Sequence, residues 1–131
     1  MKKFTFRLEK ILKLRSHAEN DAKIEMGRAV SALSRIENDL EAAAAAQRSA
    51  GEKRFSGGDS LPYLHDYDNY LQRLEAEKER LLQEAAEAEL AVEQSRDLWL
   101  DARAGLKVME NLKERKLAAY RRDSNFHREN E

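Results

Sequence analysis

The sequence has no cysteine, one proline, five glycines, and only seven Val, Ile and Thr residues among 131. Without cysteine there is neither a disulfide nor a thiolate metal site, a composition that fits a reducing compartment. So few β-branched residues cannot furnish a sheet. No run approaches the ~20 consecutive apolar residues of a membrane span. The basic start at Lys2 and Lys3 looks like a secretory signal, but Arg7, Glu9, Lys10, Lys13 and Arg15 interrupt any apolar stretch behind it. These absences predict a soluble, cytoplasmic protein with no direct membrane insertion. A net charge of −1 gives no global field of the kind that draws nucleic acid.

What is abundant is helix-forming. Ala, Glu, Lys, Leu and Arg fill 77 of the 131 positions, which points to long helices or a coiled coil. One break divides them. Gly51-Glu-Lys-Arg-Phe-Ser-Gly-Gly-Asp-Ser60 holds three of the glycines and precedes Pro62. Asp59 or Ser60 caps a new helix there, with Pro62 tolerated in its first turn. The sequence thus predicts an all-α protein of one coiled-coil domain over residues 1–131. Its parts are helix one over about 6–50, a hinge over 51–60, helix two over about 61–122 and a polar, fraying tail over 123–131. Thr5 is the expected first cap.

The apolar spacing supports a coiled-coil seam on each side of the break. Phe4, Leu8, Ile11, Leu14, Ala18, Ala22, Met26, Ala29, Leu33, Ile36, Leu40 and Ala43 follow at steps of three or four, with successive fours at Ala18, Ala22 and Met26 reading as a stutter. The second series alternates three and four strictly: Leu64, Tyr67, Leu71, Leu74, Lys78, Leu81, Ala85, Ala88, Val92, Ser95, Trp99, Ala102, Leu106, Met109 and Lys113. At ~1.5 Å per residue the helices would be roughly 68 and 93 Å long. A short connection makes them antiparallel neighbours. Folding at the centre of the hinge pairs residues whose numbers sum to about 111. Trp99 then faces Leu12, and helix two overhangs its partner beyond Lys107.

Enzyme chemistry finds no support. Gly57 and Gly58 lack the lysine and hydroxyl residue of a phosphate loop. His17, His65 and His127 are isolated, and His65-Asp66-Tyr67-Asp68 reads as a solvated helix start rather than a metal site. The reading is a non-enzymatic protein without cofactor or metal. Ala42–Ala46 are explained by helix propensity, although they narrow helix one near the hinge.

Charge is unevenly placed. Residues 1–15 hold six basic residues against one acid, net +5; residues 103–131 hold eight against five, net +3; the segment between is net −9. An antiparallel hairpin brings the two basic segments to one end, beside Phe4, Phe6, Leu112, Leu117 and Tyr120. An apolar stripe there needs a partner helix or protein. Glu110, Glu114, Asp123, Glu129 and Glu131 interleave with the bases and weigh against nucleic acid.

Two segments resemble a known family. Phe4-Thr-Phe-Arg-Leu-Glu-Lys-Ile-Leu-Lys-Leu-Arg15 is similar to the opening of flagellar export proteins of the FliJ family, and Tyr67-Asp-Asn-Tyr-Leu-Gln-Arg-Leu-Glu75 adds to the likeness. The resemblance implies a component of the flagellar type III export apparatus, cytoplasmic and peripheral at the membrane through that apparatus. It implies a γ-like stalk that binds and stimulates a hexameric export ATPase, contacts the export-gate membrane protein and escorts export chaperones. Carried over, the ATPase-binding tip is Phe4, Phe6, Arg7, Leu8, Ile11, Leu112, Arg115, Lys116 and Tyr120. The gate or chaperone surface is Tyr67, Tyr70 and Leu74. Tyrosines that some relatives carry at the end of helix one are replaced here by Ala42–Ala46 and Ala50. The alternative reading is a coiled-coil chaperone or adaptor that holds amphipathic helices of clients; an RNA-binding arm ranks third.

Overall fold

A computed structural model describes residues 3–56 and 61–129, apart from the side chains of residues 55 and 56. The proposed caps Asp59 and Ser60 lie outside the described residues. Two helices, α1 (Glu9–Ser56) and α2 (Leu61–Glu129), pack against each other as a helical hairpin, with no strand among the described residues. Two compact units are distinguished: a terminal unit of Met1–Met26 with Gln94–Glu131, and a turn unit of Gly27–Glu93.

α1 starts later and ends later than its composition suggests. Leu8 precedes it in a turn closed by the Glu9 N–H donating to the Phe6 carbonyl at 3.1 Å, so this first donor of the helix is met by backbone rather than by Thr5. At the other end Gly51 stays helical, because one glycine costs a helix only about 1 kcal/mol. α1 runs on to Ser56, immediately before Gly57 and Gly58 in sequence. α2 continues through residues 123–129, where the composition suggested a frayed tail.

The six extra residues of α1 move the fold point, and with it the register. Glu19 meets Trp99, Gln47 meets Glu75 and Glu9 meets Lys113, pairs whose numbers sum to 118, 122 and 122 rather than 111. Trp99 is therefore opposite Glu19, not Leu12. Residues 108–120 of α2 do not overhang either: Lys113 reaches Glu9, and Tyr120 packs on Phe4.

In the terminal unit the seam differs from the apolar series. Ile11, Leu14 and Ala18 are exposed, while Leu12 and Glu19 are half-buried. On the α1 side positions 8, 12, 19, 22 and 26 are half-buried, and Arg15, itself exposed but lying over Gly105, stands at the remaining place of an alternation of four and three without a stutter. Arg15, exposed at the rim of the seam, and half-buried Glu19 each meet a residue of α2. Arg15 lays its guanidinium over Gly105, where a β-carbon would come within 2.8 Å of it. Glu19 accepts a hydrogen bond from the Trp99 indole N–H at 3.0 Å. On α2, Trp99, Ala102, Leu106, Met109 and Lys113 are half-buried at the expected positions.

In the turn unit Ala29, Leu33, Ile36, Leu40 and Ala43 are half-buried, and α2 answers with Leu64 to Val92. Only Ala50, Leu81 and Val92 are buried among the described residues, and no large side chain is fully so. Two helices enclose a line, not a volume. Lys78 keeps its stem in the seam and brings its ammonium to Glu75 at 3.4 Å.

Leu81 at 4% exposure and Leu82 at 46% give an internal comparison. Leu81→Ala should lower stability by about 2 kcal/mol or more, and Leu82→Ala by less than about 0.5. Urea unfolding followed by circular dichroism measures both. A β-carbon at Gly51 would meet nothing within 4 Å, so Gly51→Ala should stabilise by about 0.5–1 kcal/mol in the same assay.

Candidate functional site

Two surfaces gather the residues singled out by sequence. In the terminal unit the segment ahead of α1 lies against α2. Phe4 and Tyr120 pack with ring centres 5.5 Å apart and their planes tilted by 47°. Beside them is a cleft of about 520 Å³ lined by Phe4, Thr5, Phe6, Arg7 and Leu8 from one side, and Leu112 and Lys116 from the other. Its floor is apolar, and Arg7 and Lys116 stand exposed at its edge. Three expected members do not line it: Tyr120, which packs on Phe4 beside it, and two that lie farther off. Ile11 is 42% exposed on the face of α1 beyond the seam, and Arg115 is exposed on α2 without lining the cleft.

The turn unit holds the second surface, a cleft of about 450 Å³. α1 contributes Ala46, Ser49, Ala50 and Lys53, and α2 contributes Asp66, Tyr67, Tyr70 and Arg73. The small side chains at Ala46 and Ala50 leave the space that the tyrosines border. Tyr67 is half-buried against Tyr63, with ring centres 4.7 Å apart. The Tyr63 hydroxyl donates to the Lys53 carbonyl at 2.8 Å, satisfying an acceptor in the last turn of α1. Desolvation, followed by its contact with Tyr67, holds the Tyr63 phenol above its ordinary pKa. Tyr70 is 40% exposed, with the Arg73 guanidinium 5.9 Å from its ring centre.

Leu74 does not line this cleft. It is half-buried at a seam position and serves packing between the helices. Sequence reasoning missed Arg73 and Lys53, the cations beside the tyrosines. The i,i+3 spacing of Tyr70 and Arg73 was the available signal. Arg54 also ties α1 to α2 here through Asp68 at 2.7 Å.

Among the described residues no group of three or more His, Asp and Glu could hold a metal ion, and His65 lies 3.3 Å from the Asn69 amide. No described helix is long and apolar enough to cross a membrane.

Residues 3–129 match the family model described as flagellar FliJ protein. The chain belongs to the FliJ family. It is therefore a component of the flagellar export system. No curated protein and no solved structure matches the chain. FliJ-family membership covers both surfaces, since the match spans the terminal and the turn unit alike.

One ionisable group in the turn unit reports the register. The Glu75 carboxyl is held below its ordinary value of 4.5, first by the hydrogen bond from Gln47 and then by Lys78. Gln47→Met should raise it toward 4.5 in an NMR titration. A carboxyl depressed in the folded state contributes stability above its unfolded pKa and loses it as pH falls through the folded one. Native protein should accordingly lose more stability than Gln47→Met on acidification below about pH 4.5.

Proposed function

We propose that this FliJ-family chain is a non-enzymatic stalk that binds and stimulates the hexameric flagellar export ATPase. The observation that carries this reading is the terminal unit. Segments of net charge +5 and +3 belong to one compact unit, and their apolar members meet in the packing of Phe4 on Tyr120 and in the adjoining cleft. Positive charge speeds and orients the encounter with an oppositely charged ring; apolar side chains hold the complex once formed. Catalysis remains with the ATPase. The stalk acts by differential contact with subunits in different nucleotide states, which shifts their relative populations. We propose Phe4, Phe6, Arg7, Leu8, Leu112, Lys116 and Tyr120 as the inner part of the ATPase-binding tip, with Ile11 and Arg115 on its outer flanks.

Tyr67, Tyr70 and their neighbours in the turn unit form the proposed contact for the export gate or for export chaperones. An exposed tyrosine beside an arginine is a combination common in protein recognition sites. With the partners comes the location: cytoplasmic, and peripheral at the membrane through the apparatus.

The ATPase assay tests the tip. Arg7→Glu with Lys116→Glu should slow association and leave dissociation nearly unchanged, while Leu112→Ser with Tyr120→Ser should mainly speed dissociation. Both pairs should cost most of the stimulation of a purified export ATPase at fixed stalk concentration. Full stimulation by a Leu112→Ser, Tyr120→Ser protein that retains its helicity would remove the stalk reading in favour of a client-binding adaptor. Tyr70→Ala is the separate test of the turn unit: export-gate binding should weaken at least fivefold, with ATPase stimulation and helicity kept.

A further inference from the structure

The terminal unit has a third surface that neither cleft includes. Ile11, Leu14 and Ala18 of α1 and Leu98 and Val108 of α2 are exposed; Leu14, Leu98 and Val108 are each between 63% and 67% so. The two helices turn these residues to the same side. Arg15 lies over Gly105, so the edge of α1 next to Arg15 borders the edge of α2 that carries Leu98, Gly105 and Leu112 at seven-residue intervals. Leu14 and Val108 also stand at the same height, because their numbers sum to 122, as do those of the Glu9–Lys113 ion pair.

Charge around this apolar centre is arranged in reverse on its two sides. On the α1 side the sequence places Arg7, in the turn before the helix, Leu14 and Asp21 seven residues apart; along α2 it places Asp101, Val108 and Arg115 seven apart. Seven helical residues span about 10.5 Å, the rise from Leu14 to Asp21 and between the three residues of α2. Arg7, in the turn before α1, borders the cleft that holds Leu112, and all four charged side chains are exposed with no ion-pair partner among the described residues. Both arginines thus lie on the side of the chain ends, and both aspartates lie on the opposite side of Leu14 and Val108.

We propose that this face binds a second copy of the chain across a two-fold axis through the level of Leu14 and Val108, with the two copies running in opposite directions. Rotation about that axis sets Arg7 against the partner copy's Asp21 and Arg115 against its Asp101, and brings Leu14 onto Leu14 and Val108 onto Val108. An isologous contact requires such self-complementarity. The parallel alternative sets Arg7 over Arg115 and Asp21 over Asp101, two like-charge contacts that would oppose it. The charges select direction and register, and the apolar centre holds the pair.

The native chain has no cysteine, so Leu14→Cys provides a clean test. Under mild oxidation Leu14→Cys should form a disulfide-linked dimer at least about tenfold faster than Ile24→Cys, an exposed residue of the same helix away from the axis. Light scattering of the native chain should show mass rising from 15.1 kDa toward twice that with concentration. Asp101→Arg should weaken the association about tenfold, and adding Arg115→Asp should restore it. A mass fixed at the monomer, equal oxidation rates for the two cysteine variants, or failure of the charge swap would each overturn the proposal. A dimer that survives Leu14→Ser with Val108→Ser would do so too, assigning association to exchanged helices instead.

Discussion

Register is the constraint on which the molecule depends. A coiled-coil seam of alanines and leucines slides easily by a heptad, since one apolar layer resembles the next. Here the alignment is marked by polar pairs between the helices: Trp99 with Glu19, Lys113 with Glu9, and Gln47 with Glu75. A slip of seven residues would take the part-buried Trp99 indole N–H away from its acceptor Glu19, a loss that water only partly makes good, and would break the two more exposed pairs. Gly105 leaves room for the Arg15 guanidinium to lie against α2 in this alignment. Phe4 reaches Tyr120, and Tyr67 and Tyr70 border Ala46 and Ala50, only in this alignment.

The family that the opening residues resemble is the one whose model matches residues 3–129. Much of the fold was legible in spacing as well. All fifteen residues of the second apolar series are buried or half-buried, because period-3.5 regularity sustained along one helix has few explanations other than a seam. The first series misled at Ile11, Leu14 and Ala18. Apolar character alone does not mark the seam: half-buried Glu19 holds a place in it, and Arg15 lies at its rim, each through a partner on the other helix. Those partners are 80 and 90 positions away in sequence, and nothing local announces them. The register error had a single local source: Gly51 was read as a helix stop, and one glycine is too weak a breaker to end a helix that tertiary contacts continue.

The two candidate surfaces were legible to different degrees for the same reason. Phe4, Phe6 and Leu112 were readable because their character and the charge asymmetry agree. Leu74 was grouped with Tyr70 by resemblance, yet a one-turn separation on a helix places the leucine in the seam and leaves the tyrosine exposed. Arg73 became visible only once Tyr70 had a place in space. Residues that act by pairing are hidden from a linear reading until the pairing is known.

The narrow seam also sets how stability responds to temperature. Because no large side chain among the described residues is fully buried, opening the helices wets comparatively little apolar surface per residue. The heat-capacity increment of unfolding scales with that surface, and should fall below the ~12–15 cal/mol/K per residue usual for globular domains. A small increment flattens the stability curve. The protein would lose its helices gradually on warming, and its enthalpy of unfolding would be nearly the same at both ends of the growth range of a motile cell.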